Sequence, residues 1–426
     1  MSGSAKSCSF RRFARPRCQA VVFYRRKSGA RSSARKCRRL CGQQLSGRKY
    51  HAAQIQDLAL DFSLSPEQRL LQDALATYLA RHHDFEARRV LLVDGQRRAA
   101  VWQDLAGELG LFGAAVPVEL EGFGGGPVET MLIMEKFGEA LLVAPYLECV
   151  TLATALLRPA GAAVRDTVAA IVDGRLRIAP ALHEDGGRFN LGHIETRVEG
   201  EGGDARLSGA KIAVAGAADA THFLVSARTP TGAAALALVA ADAAGLERHD
   251  YGFIDGRSAA DIAFVDTPAT IIDVGGDALP VIECAVDEAI AGLCAEALGV
   301  METALALTVD YARQREQFGK VIGQFQALQH RMVDMRTQIE LSRSLTLMAT
   351  LSLDAPRAER RKAVSAAKAY VSDALRIVGQ GAVQIHGGIG TTDEIAISHY
   401  FRRATVMESQ FGSAAHHLKL MAEVSG

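Results

Sequence analysis

The chain lacks any run of about eighteen uninterrupted apolar residues, the length a helix needs to cross a membrane, so no membrane span is expected. It has no internal repeat of fixed period, and no two cysteines stand at Cys-X-X-Cys spacing. A repeat array and a ready-made zinc or dithiol motif are therefore both disfavoured. Acid is absent from residues 1–56, where fifteen Lys or Arg occur. That leaves 33 basic and 48 acidic residues beyond Gln56, so a formal net charge of zero conceals a tail near +15 and a body near −15. A body so acidic argues against nucleic-acid binding.

The tail, residues 1–58, has three readings: a misplaced translation start, a targeting segment, or a basic arm. It holds Ser and Arg but no clear amphipathic period. Its like charges predict disorder under each reading. Cys8, Cys18, Cys37 and Cys41 lie there with His51 as the nearest histidine, a poor match to zinc-ligand spacing. Cys149, Cys284 and Cys294 sit in apolar contexts further on. They read as reduced core thiols in a reducing compartment, most simply the cytoplasm.

What is present is a body of ordinary globular composition, 49% hydrophobic and 23% charged, long enough for two or three domains. It divides into a helical domain over 59–178, a compact antiparallel β-domain over 179–277 and a four-helix bundle over 278–426, an α+β order. Ser65, Pro66 and Gln68 form a helix start with a capping box. Gly122 to Pro127, Pro145 and Pro159 break the first domain. Strands are expected at 195–199, 205–207, 221–226, 235–239 and 261–266, between Gly, Asp and Pro turns. Helical periods then run from Val286 to Tyr311, from Leu328 to Ile339, and through Ala367 to Ile377. A fourth, interrupted helix spans Glu394 to Ala422.

Two segments of the bundle carry chemistry. Tyr311 to Met335 reads YARQREQFGKVIGQFQALQHRMVDM, with arginines suited to phosphate and Gly319 for a tight reversal. Gln384 to Glu394 reads QIHGGIGTTDE, whose glycines let a backbone approach a ligand. Alone, the first would be a charged helix end and the second an ordinary turn. Together, in this order, they resemble the acyl-CoA dehydrogenase family over residues 59–426. The matched positions are Arg315, Gln317, Phe318, Gly319, Ile322, Phe325, Gln326, Gln329, Asp334 and Met335, then Gln384, Gly387, Gly388, Gly390 and Glu394. The stretches DFSLSPEQRLL, EGFGGGPVETM and SHYFRRATVMESQFGSAAHHL look closest to one branch, the small subunits of pimeloyl-CoA dehydrogenases.

The resemblance implies FAD as cofactor, an acyl-CoA substrate, an acceptor like electron-transfer flavoprotein, and assembly with a homologous subunit or with itself. It implies that Arg315, Gln317 and Phe318 contact a neighbour's FAD. Phe325 and Gln326 would lie by the adenosine, and Gln384, Ile385, His386, Gly387 and Gly388 would line the pyrophosphate. His386 itself reads as a structural donor. Three departures put catalysis by the isolated chain in doubt. Phe411 stands where the resemblance implies the catalytic glutamate, and a phenyl ring accepts no proton. The alternative base position falls at Ala289, with Glu288 one residue and about 100° away. Ile212-Ala213-Val214-Ala215 replaces the Trp and hydroxyl expected against the flavin ring, and the loop at His183 to Gly186 is equally divergent. Glu408, three residues before Phe411, is a secondary candidate base, with Glu283 another acid near the expected pocket. Tyr400, Arg402 and Arg403 read as helix surface, with Arg402 a possible phosphate contact. The expectation is a subunit whose partner supplies the carboxylate. The alternatives are a self-sufficient homotetramer with a relocated carboxylate and a non-catalytic acyl-CoA or flavin-binding scaffold.

Overall fold

The computed structural model describes residues 63–425. The tail, with Cys8, Cys18, Cys37, Cys41 and the boundary at residue 58, lies outside them. The first domain begins as its capping box dictates. Ser65 Oγ accepts from the Gln68 amide, and Gln68 Oε1 accepts from the Ser65 amide. Helix α1 (Pro66–His82) follows, then α2 (Phe85–Val93), α3 (Gly95–Gln103), α4 (Pro127–Ala140), α5 (Ala153–Leu157) and α6 (Arg165–Val172). The segment Leu147–Leu152, ahead of α5, is a wide π-helical turn, and every side chain in it is buried.

The middle domain has strands β1 (Ile178–Ala181), β2 (Arg197–Glu199), β3 (Ala205–Ala215), β4 (His222–Arg228), β5 (Ala234–Ala240), β6 (Leu246–Gly252) and β7 (Ser258–Ile272). The sheet runs β1-β4-β2-β3-β7-β5, and β5 pairs back onto β4. The expected all-antiparallel domain is corrected here: β1 and β2 each meet β4 in parallel. β6, unforeseen from sequence, is mostly polar and exposed because only β7 pairs with it.

The bundle consists of α7 (Leu279–Gln314), α8 (Gln326–Leu351), α9 (Arg357–His386), α10 (Ala396–Ser409) and α11 (Ala414–Ser425). The expected fourth helix is thus two, separated by the turn at Gln410–Ser413. The hairpin of β8 (Glu316–Gln317) and β9 (Lys320–Val321) joins α7 to α8. At 36 residues α7 is about 54 Å long. An 18-residue stretch of it is apolar enough to match a membrane helix, but 78% of that stretch is buried within the protein. Its close neighbour is α4, and glycine makes the contact possible. A Cβ on Gly138 would lie 2.0 Å from the Glu296 carbonyl, and one on Gly299 would lie 2.0 Å from the Glu135 carbonyl.

Candidate active site

The turn between α10 and α11 carries Phe411. Its φ is +58°, in the left-handed region that costs a non-glycine residue about 1–2 kcal/mol. Two groups hold it there. His417 Nε2 donates to the Phe411 carbonyl at 3.1 Å. The buried Lys368 ammonium donates to the carbonyls of Met407 at 3.0 Å and Glu408 at 3.2 Å, closing the end of α10. Burial and the nearby Lys368 charge push the His417 imidazole down to about 3, so it is neutral at neutral pH. The turn is strained, and its side chain carries no acid.

Phe411 faces a largely apolar cavity of about 500 Å³ between the β-domain, the π turn and α10, whose walls include Leu182, His183, Phe189, Ile212 and Val406. The loop at His183 is built onto β3 by a buried ion pair. Lys211 Nζ donates to Glu184 Oε1 at 2.6 Å and to Ser226 Oγ at 2.8 Å, and Glu184 also accepts from the amides of Glu195 and Thr196. The Ile212 amide donates to the His183 carbonyl at 2.9 Å. β3 then bulges between Lys211 and Val214, with Ala213 at φ +53° and its amide on Asp261 Oδ1. The bulge aims Ile212, Ala213 and Ala215 at the cavity, but these side chains offer neither an aromatic face nor a hydroxyl. His183 makes no side-chain hydrogen bond among the described residues. Burial and the Lys211 charge push its imidazole down, so it faces the cavity neutral.

On the outside, the two sequence motifs come together. Tyr311, at the end of α7, stacks on His386 with ring centroids 4.4 Å apart, and its hydroxyl donates to the His386 carbonyl. His386 Nδ1 donates to the Ala382 carbonyl, in keeping with a structural donor. The hairpin turns at Phe318 (φ +55°) and Gly319 (φ +78°), a pair of positive φ values suited to two-residue loops. Phe318 is 91% exposed. Arg315 and Gln317 are exposed beside it, and the Arg315 guanidinium has no ion pair or hydrogen bond among the described residues. Phe325 is half-buried edge-on to Phe318, with Lys320 Nζ over its ring at 4.3 Å, and Gln326 opens α8 exposed to solvent. Gln384, Gly387 and Gly388 are exposed, whereas Ile385 is buried. A Cβ added at either glycine meets nothing within 4 Å. An unpaired cation, an outward ring and open glycine backbone, in segments joined through Tyr311 and His386, fit a phosphate-bearing aromatic cofactor. The inner wall at Ile212–Ala215 does not fit a flavin ring in the expected manner, since the platform and hydroxyl are missing.

Several expected residues lie elsewhere. Glu408 does not line the cavity; α10 ends at Ser409, so Phe411 leaves the helix face they would share. The Glu408 carboxyl is raised by burial, with Arg376 and Lys368 acting against that rise. Glu288 pairs with Arg158 at 2.9 Å, and Glu283 pairs with Arg357 and Arg361. Tyr400 and Arg403 are not helix surface: both are buried, and Arg403 binds Glu296 and Asp255. Arg402 pairs with Asp393 rather than standing free. Cys149 and Cys294 are buried thiols as expected, but Cys284 is only half-buried.

Sequence reasoning missed Glu148 and Gln410 as cavity residues, whereas the loop at His183, noted as divergent, does reach the cavity. For Glu148 a signal existed, a lone acid inside the apolar run LECVTLATALL. For Gln410 none did.

Comparison with known proteins agrees with the order of domains. Residues 65–168 match the N-terminal domain of acyl-CoA dehydrogenases, and residues 279–426 match their C-terminal domain. Acryloyl-CoA reductase (NADH) of Anaerotignum propionicum is 26% identical across 85% of this chain and 95% of its own length. The Tcur3481-Tcur3483 steroid ACAD variant superposes with a TM-score of 0.77 at 29% identity, covering 84% of this chain and 97% of the matched chain. The ChsE4-ChsE5 complex from Mycobacterium tuberculosis gives a TM-score of 0.77 at 26% identity, with 85% and 98% covered.

Proposed function

The chain belongs to the acyl-CoA dehydrogenase family, oxidoreductases acting on CH–CH bonds, and from that premise we propose that it is one subunit of a heteromeric FAD-dependent enzyme whose partner supplies the catalytic carboxylate. The observation that carries this reading is Phe411. The turn is strained and held by hydrogen bonds, and the side chain it carries into the cavity is no proton acceptor. Removing a proton α to a thioester needs a base of raised pKa in a dry pocket, and a phenyl ring cannot serve. Two structures of similar fold carry paired subunit names, which supports assembly with a homologous chain.

FAD, when bound, supplies the hydride acceptor. Arg315 would hold phosphate, Phe318 and Phe325 would pack on the dinucleotide, and the backbone at Gly387 and Gly388 would admit the pyrophosphate. These groups face outward, so they suit a flavin seated mainly in a neighbouring subunit. A dicarboxylyl thioester such as pimeloyl-CoA, the finer resemblance, finds little support in the cavity. Arg257 and Arg403 are neutralised by Glu296 and Asp255, and Arg188, unpaired among the described residues, stands at the exposed rim. Uncharged acyl groups suit the walls better. A cytoplasmic setting and an electron-transfer flavoprotein-like acceptor complete the proposal.

The test is single-turnover flavin bleaching by acyl-CoA, with the chain expressed alone and with a candidate partner. Bleaching only in the mixture is expected. Full bleaching by the chain alone would overturn the reading.

A further inference from the structure

Two cavities meet at one wall. The cavity at Phe411 and a second of about 300 Å³, toward Arg98 and Asp219, share Glu148, Ala215, Phe253, Val406 and Gln410 as lining. Three of those five are apolar. Glu148 is buried on the π turn and, among the described residues, forms no ion pair and has one side-chain hydrogen bond, from Gln410 Nε2 at 3.2 Å. Gln410 Oε1 is buried with no partner among the described residues. An unmet buried acceptor costs about 1–3 kcal/mol. The nearest cations are committed elsewhere, Arg257 to Glu296 at 2.6 Å and Arg403 to Glu296 and Asp255. Burial therefore dominates and pushes the Glu148 carboxyl up, against the pull of those arginines. In its protonated form the carboxyl donates as well as accepts. The wall thus holds an acceptor without a donor, covered in this conformation and brought to the cavity by rotation of the Gln410 side chain, beside a group able to give a proton in a hydrogen bond, in surroundings that are otherwise apolar.

We propose that Glu148 and Gln410 read a hydroxyl on the acyl chain, so that this site selects hydroxylated acyl thioesters over plain ones of the same length. The hydroxyl donates to Gln410 Oε1 and accepts from Glu148. A plain chain leaves both groups unmet, the situation in which a site discriminates most strongly. The inference rests on the acyl-CoA reading above, and it assigns the pair to recognition rather than to proton abstraction.

Equilibrium dialysis of the full chain in its assembly, against pairs of acyl-CoA thioesters of equal length, tests it. One member of each pair is plain; in the other the hydroxyl is walked along the chain. At one position or more the hydroxylated ligand is expected to bind at least about tenfold more tightly. Gln410→Leu and Glu148→Leu should bring the ratio to about one. Glu148→Gln, which retains a donor and an acceptor, should keep it, whereas a proton-abstracting role would not survive that change. Circular dichroism and the thermal midpoint confirm that each variant is folded; should a leucine variant fail to fold, the wild-type ratio and Glu148→Gln decide. Equal binding of all pairs by the wild type, or a preference that persists in folded Gln410→Leu, overturns the proposal while leaving the acyl-CoA site intact. Failure of every thioester to bind overturns the acyl-CoA reading itself.

Discussion

Arg315 and Phe411 show how much a single side chain decides here. Arg315 is exposed and pairs with nothing among the described residues, so its removal should cost the folded chain little. If it grips a phosphate, that charge-assisted contact of roughly 1.5–3 kcal/mol is lost instead. Arg315→Ala is expected to weaken FAD retention by the assembly about ten- to a hundredfold, with an unchanged thermal midpoint for the unassembled chain. Fluorescence titration of released flavin measures the first and calorimetry the second. Phe411 poses the opposite case. Phe411→Glu restores a carboxyl at the strained turn, but Ile212–Ala215 still provide neither a ring platform nor a hydroxyl. The isolated variant should therefore show little flavin bleaching with acyl-CoA, and full bleaching would mean that those wall residues do not matter.

At the scale of elements, two turns store strain for different ends. The hairpin tip places Phe318 in the left-handed region, as its two-residue loop requires, yet leaves a large ring exposed there. Asn adopts that region more readily. Phe318→Asn is expected to raise the stability of the unassembled chain by about 1 kcal/mol while loosening FAD in the assembly. Urea denaturation and flavin retention, read on the same variant, separate the two effects. The turn at Phe411 depends instead on a neutral His417. Its imidazole is depressed to about 3 in the fold from an ordinary 6.5, so folding disfavours the protonated form. The stability it contributes is complete above pH 6.5 and is lost as pH falls from there toward 3, at up to about 1.4 kcal/mol per pH unit. The urea midpoint should fall between pH 7 and pH 5, and His417→Phe should flatten that slope.

Across the whole molecule, the three domains are tied by buried charge. Arg403 on α10 meets Glu296 on α7 at 2.7 Å and Asp255 in the β-domain at 3.0 Å. Arg257 adds a second contact to Glu296, and Arg88 reaches from α2 to His399 and the Asp255 carbonyl. Losing one partner strands the others in a dry interior. Arg403→Met should thus cost about 3–5 kcal/mol, far more than the exposed pair of Arg376 and Asp373 would lose on mutation. Thermal or urea unfolding of both variants gives the comparison; a small loss for Arg403→Met would show that water or rearrangement relieves Glu296.

The order of helices, strands and bundle was legible in the sequence because each element carries a local signal. Ser65 and Gln68 cap α1, the apolar period of α7 persists through Tyr311, and Gly319 marks the hairpin. The two motifs, and the loss of acid at Phe411, could likewise be read from residue types at fixed spacing. Helix and turn chemistry acts over a few residues, so a one-dimensional pattern suffices for it. The parallel pairing of β1 and β2 with β4 could not be read, since strand partners are chosen by contacts far apart in the chain. Nor could the fate of single charges. Arg403 looks like any exposed helix arginine until Glu296, 107 positions away, is brought against it. Glu148 and Gln410, separated by 262 positions, become one polar pair only when the π turn and the end of α10 pack on the same cavity. Burial and pairing belong to the tertiary structure because desolvation depends on everything that surrounds a group, whereas the sequence states only its neighbours along the chain.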